Sequence, residues 1–97
     1  MTFEYTIDGG TTRQVMAAIA SALKFPDYFG YNLDALYDCL TDLSWLPDGE
    51  HVLIWSKPGA LRDTDATAYD AIATVLADAV ADGTGGGAYL SVRLQAD

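Results

Sequence analysis

Hydrophobic and polar positions alternate at the start of the chain, with Phe3, Tyr5 and Ile7 set between Glu4, Thr6 and Asp8. A period of two predicts a half-buried strand, closed here by Gly9-Gly10. The period then lengthens. Val15, Met16, Ile19, Ala20 and Leu23 recur at helical spacing and form one apolar stripe. Thr11 and Gln14 have capping-box spacing, so Thr11 is the expected N-cap. Pro26 ends this helix near Lys24, because the residues before a proline are pushed out of helical geometry. A loop follows from Phe25 to Tyr31, rich in aromatics. Asn32, a good N-cap, opens a second helix of about three turns with Leu33, Leu36, Leu40 and Leu43 on its core face.

Pro47, Asp48 and Gly49 mark a turn. His51 to Trp55 (HVLIW) is continuously apolar enough to be a central strand. Lys57 to Asp65 is ambiguous and has room for a short helical turn. Ala66 to Asp82 is a third strong helix, with Ala68, Ile72, Val75, Leu76, Ala79 and Val80 expected to face inward. Gly83 is the expected residue just past its end. Gly85, Gly86 and Gly87 suggest a turn or loop, and Tyr89 to Leu94 alternates as a last strand. Strands separated by helices imply right-handed crossovers. The expectation is an α/β fold: a three-stranded parallel sheet covered by three to four helices. With 97 residues, no internal repeat and no linker, residues 1–97 are expected to form a single domain.

Charge changes the picture. Fourteen Asp and Glu oppose five Lys and Arg, a formal net charge of −9. Such a chain repels phosphate backbones and anionic lipid, so neither nucleic acid nor membrane is an expected partner. Cationic proteins are. A single cysteine, Cys39, allows no internal disulfide and favours a reducing compartment. Met1 to Gly10 has neither the basic nor the apolar region of a signal peptide. The expected location is the cytoplasm.

The acids are not scattered. Asp34, Asp38 and Asp42 stand at i, i+4 and i+8 on the second helix, almost opposite its leucines. Like charges so spaced repel by a few tenths of a kcal/mol per pair. The helix dipole helps only Asp34, in the first turn. No Lys or Arg occurs between Phe25 and Ser56. A solvated face would look the same. Beside this stripe, however, lie Tyr28, Phe29 and Tyr31 in the loop and Tyr37 on the helix. Rigid aromatics mixed with uncompensated carboxylates suit a recognition surface. Asp78 points away from the apolar stripe of the third long helix, and would extend the patch if the two helices lie side by side.

The segment Phe25 to Thr41, FPDYFGYNLDALYDCLT, closely resembles the signature of the barstar family, intracellular inhibitors of the ribonuclease barnase. Leu76 to Gly83 (LADAVADG) is similar to the end of that family's last helix. The resemblance implies a barstar-like fold and a protein inhibitor with no catalytic residues and no cofactor. It implies that Asp38 enters an enzyme's phosphate site and that Asp34 pairs with active-site cations. It further implies that Tyr28 packs on a catalytic histidine, that Gly30, Asn32, Leu33 and Thr41 are contacts, and that Asp78 adds an acidic contact. The implied partner is an extracellular microbial guanyl-specific ribonuclease, bound by a monomer in a 1:1 heterodimer. Departures are visible. Tyr37 and Leu43 stand where the family has Trp, Tyr31 replaces an acid, Asp42 replaces glycine, and Thr84 lies near the position of a second cysteine.

Two other classes fit some of these residues. An immunity protein against a different nuclease toxin, such as a DNase, would use the same surface. A metal-dependent enzyme could use Asp34 and Asp38, since helical i, i+4 carboxylates can hold Mg²⁺ or exchange protons. Against the enzyme, no His is near them in sequence, His51 sits at a strand start, and no Cys and His occur at metal-ligand spacing. Cys39, with acidic neighbours, is expected to pack rather than react, its thiol pKa raised.

Overall fold

The computed structural model describes residues 1–83 and 87–95. Its elements run β1 (Thr2–Ile7), α1 (Thr12–Ala22), α2 (Leu33–Asp42), β2 (Gly49–Ser56), α3 (Gly59–Thr64), α4 (Ala66–Asp82) and β3 (Ala88–Gln95). The strands form one parallel sheet in the order β1-β2-β3. The architecture is therefore the expected three-stranded α/β fold, with four helices.

Local chemistry sets the helix boundaries. Thr11 Oγ1 accepts from Gln14 N at 3.1 Å, and Gln14 Oε1 accepts in return from Gly10 N at 3.0 Å. The reciprocal bond of this capping box thus reaches one residue further back than the usual pattern. Asp65 caps α4 in the same way, its Oδ1 accepting from Ala68 N at 3.1 Å. At the other end of α4, Gly83 is not left-handed. It has φ −63° and ψ 129°, and its N–H donates to Ala79 O. Thr84, Gly85 and Gly86, part of the expected turn, lie outside the described residues.

Register explains how the sheet divides. Phe3, His51 and Leu90 are aligned across the strands, as are Tyr5, Leu53 and Val92. Ile7, Trp55 and Leu94 form the next row. Alternate side chains point to opposite faces. Of these rows, Ile7, Leu53, Trp55 and Leu90 join the core with Val15, Ile19, Leu36, Leu40, Ile72 and Leu76 of the helices. The helices therefore cover one face of the sheet. The other face carries Thr2, Glu4, Thr6, Glu50, Ser91 and Arg93. Glu50 bridges there, accepting from Thr2 Oγ1 at 3.4 Å and Ser91 Oγ at 2.7 Å. Val52 and Ile54 belong to this outer face. The apolar run of β2 is the central strand, as expected, and Val52 on its outer face is buried yet stands outside the main core.

Two expected core positions are corrected: Leu33 and Val80 are 37% and 39% exposed, whereas Ala20, Ala68 and Val75 are half-buried and pack against the core. Leu33 is the first residue of α2 and has no preceding turn to tuck under. Val80 lies beside the outermost part of β3, where Leu94 is itself 49% exposed. His51 is the converse case. Expected as a strand-end residue, it is wholly buried, with Nδ1 2.7 Å from the Tyr5 hydroxyl and Nε2 2.7 Å from Pro47 O. Its ring stacks on Phe3 at 4.7 Å. Trp55 is buried just as fully, against Tyr69, and its Nε1 has no hydrogen-bond partner among the described residues.

Candidate partner-binding site

The loop before α2 is held from beneath. Phe25 packs edge-on against Phe29 at 4.9 Å and against Trp45 at 6.1 Å, and Trp45 Nε1 donates to Leu23 O at 2.9 Å. Phe29, grouped by sequence with the recognition aromatics, is instead a buried anchor. Tyr28, its neighbour, is 78% exposed. A fixed base thus displays a projecting ring. Tyr31 closes the loop with φ 54°, a left-handed conformation that costs a non-glycine residue about 1–2 kcal/mol. It is braced by Phe29 at 4.9 Å and by the Arg13 guanidinium, 4.2 Å from its ring centre.

Asn32 then starts the helix, its Oδ1 accepting from Ala35 N at 2.8 Å. Leu36, Cys39 and Leu40 turn to the core. Asp34, Asp38 and Asp42 consequently face solvent. Gly30 and Leu33 are also exposed. Thr41 is half-buried, its hydroxyl donating back to the carbonyls of Tyr37 (2.9 Å) and Asp38 (3.2 Å). Among the described residues no lysine or arginine lies within 4.0 Å of the aspartate carboxylates of α2. The acidic stripe is presented outward, not locked to the chain's own cations.

Helix α2 packs along α4. Asp78 is exposed on α4, and its charge acts on Tyr37 together with those of Asp38 and Asp82. The two helices therefore do lie side by side, and Asp78 does join the acidic surface. Tyr37, half-buried at the seam, donates its hydroxyl proton to Asp82 Oδ2 at 2.5 Å. That bond, then burial, then the charges of Asp82, Asp78 and Asp38 raise its pKa above the ordinary 10.0. Asp82 is the residue that sequence reading missed. Helical spacing places it one turn beyond Asp78, but nothing local ties it to Tyr37.

Cys39 is buried, and its thiol pKa lies above the ordinary 9.0, chiefly through desolvation and secondarily through Asp38 and Asp42. A thiol so placed holds its proton and is a poor nucleophile. Among the described residues, no three His, Cys, Asp or Glu side chains are grouped so as to hold a metal ion. No helix among them is long and apolar enough to cross a membrane.

A family model described as Barstar (barnase inhibitor) matches residues 5–95. The chain belongs to the barstar family. It is also 68% identical over 25 residues to the "Putative ribonuclease inhibitor YrdF" of Bacillus subtilis (strain 168). That match covers 26% of this chain and 28% of the relative, so it concerns a segment and not the whole of either protein. The family's description is that of a barnase inhibitor. The geometry above is compatible with that family role, since an exposed acidic helix beside a braced aromatic loop has the charge a cationic cleft would meet.

Proposed function

We propose that this barstar-family chain inhibits a microbial guanyl-specific ribonuclease, forming a 1:1 complex in the cytoplasm of the cell that makes the enzyme. The observation that carries the proposal is the row Asp34, Asp38, Asp42, solvent-facing and free of partner cations among the described residues, in a chain matched to the barstar model over residues 5–95. A ribonuclease gathers cationic donors around a phosphodiester and its charged transition state. Carboxylates on a rigid helix satisfy those same donors through charge-assisted hydrogen bonds. Asp38 takes the place of the RNA phosphate, and Asp34 pairs with neighbouring cations. Tyr28 packs on the catalytic histidine, with Gly30, Asn32, Leu33, Tyr37, Thr41, Asp42 and Asp78 lining the contact. A carboxylate offers no bond to cleave, so the cleft stays filled.

The test is an RNA-cleavage assay with a panel of guanyl-specific microbial ribonucleases. Inhibition saturating at one equivalent and lost in Asp38→Ala is expected. A panel left fully active defeats the proposal, and capture of a DNase from the native host replaces it with immunity to a different toxin.

A further inference from the structure

Resting on the ribonuclease-inhibitor reading above, we propose that Asp82 is a positioning residue of the binding face, acting through Tyr37. Tyr37 O–H···Asp82 is the only side-chain hydrogen bond joining α2 to α4 among the described residues. It spans the seam on which Asp38 and Asp78 stand, one on each helix. Without it, the two carboxylates ride on separate helices whose relative setting depends on packing alone. With it, the partner meets one fixed surface drawn from both.

The placement of Asp82 is unfavourable for α4 by itself. It occupies the last turn, where the dipole disfavours a negative charge, and no basic residue shares that turn. Asp78 repels it from one turn earlier. What offsets both is the phenol proton from Tyr37. The bond also fixes the Tyr37 ring before any partner arrives, so the ordering of this side chain is not left to binding. Asp82 itself is exposed and adds its charge to those of Asp34, Asp38, Asp42 and Asp78.

The experiment compares Tyr37→Phe, Asp82→Ala and Asp82→Asn in the full chain, with stopped-flow rates against an inhibited guanyl-specific ribonuclease. Losing a hydrogen bond to a charged acceptor makes dissociation about tenfold faster in Tyr37→Phe and Asp82→Ala. In Asp82→Asn the amide oxygen still accepts the proton, and dissociation quickens less than about threefold. Its association rate drops at low salt only, because charge alone is lost. In the free protein, an NMR titration of the Tyr37 ring reports the bond directly: its raised pKa falls back toward 10.0 in Asp82→Ala. A Tyr37 titration unchanged in Asp82→Ala overturns the proposal, whatever the ribonuclease does. So do dissociation rates equal to wild type in all three variants, even if thermal stability falls, since the bond then serves the fold alone. A wild-type chain that binds no ribonuclease removes the function and this role together, and leaves the titration result standing.

Discussion

His51 offers the sharpest energetic test of the fold. A carbonyl oxygen only accepts, so the 2.7 Å contact to Pro47 O requires the proton on Nε2. In the neutral ring Nδ1 is then an acceptor, and the Tyr5 hydroxyl donates to it. One buried imidazole thus joins β1, β2 and the turn before β2. His51→Leu removes both bonds and leaves the Tyr5 hydroxyl and the Pro47 carbonyl unmet. At the lower end of about 1–3 kcal/mol per orphaned group, because Tyr5 and Pro47 lie nearer to solvent, this amounts to about 2 kcal/mol. Loss of the 4.7 Å stack on Phe3 adds about 1 kcal/mol. The expected cost is about 3 kcal/mol, a fall in Tm of roughly 12–24 °C for a domain of this size. Tyr5→Phe breaks only one of the bonds and costs about 1 kcal/mol. Urea unfolding of both single variants and the double variant completes a thermodynamic cycle, with a coupling of about 1 kcal/mol expected. A His51→Leu cost below 1 kcal/mol, or strictly additive variants, refutes the network.

Three further outcomes follow from features of the site. Asn32→Ala removes the N-cap of α2 and destabilises by about 1 kcal/mol in thermal unfolding, whereas Asn32→Asp, which keeps the accepting oxygen, loses far less. Stability declines above pH 9: the Cys39 thiol and the Tyr5 and Tyr37 phenols have folded pKa values above the ordinary 9.0 and 10.0, so the folded chain retains protons that the unfolded chain releases. Their contribution is intact below those ordinary values and is lost as pH rises through the folded ones, which denaturant midpoints between pH 8 and pH 11 will show. Association with a ribonuclease, followed by stopped-flow, slows about tenfold or more from low to high salt; a rate indifferent to ionic strength contradicts attraction between the acidic face and a cationic cleft.

Much of the fold is legible because its signals are local. The alternation of Phe3, Tyr5 and Ile7 is strand β1, and the stripe from Ala68 to Ala79 belongs to an α4 whose ends match expectation. The acidic stripe was legible for the same reason, since helical spacing alone turns Asp34, Asp38 and Asp42 away from Leu36 and Leu40. What escaped depends on contacts distant in sequence. His51 is buried because strand register sets it beside Phe3 and Tyr5, 46 residues from its hydroxyl partner. Asp82 meets Tyr37 across 45 residues. Phe29 and Tyr28 look interchangeable in the sequence; the packing of Phe29 against Phe25, itself backed by Trp45, marks which ring goes under. The apolar run in β2 marks the central strand but not which of its faces meets the helices: Val52 is buried and yet stands outside the main core.

That one-sided sheet gives the molecule a back. Thr6, exposed near the end of the edge strand β1 on the face away from the helical core, lies remote from the seam of α2 and α4. With Cys39 buried and its thiol held protonated, a cysteine introduced at Thr6 would be the one readily alkylated. A dye, a spin label or a sensor surface attached there would leave the aspartates free to greet whatever approaches from the front.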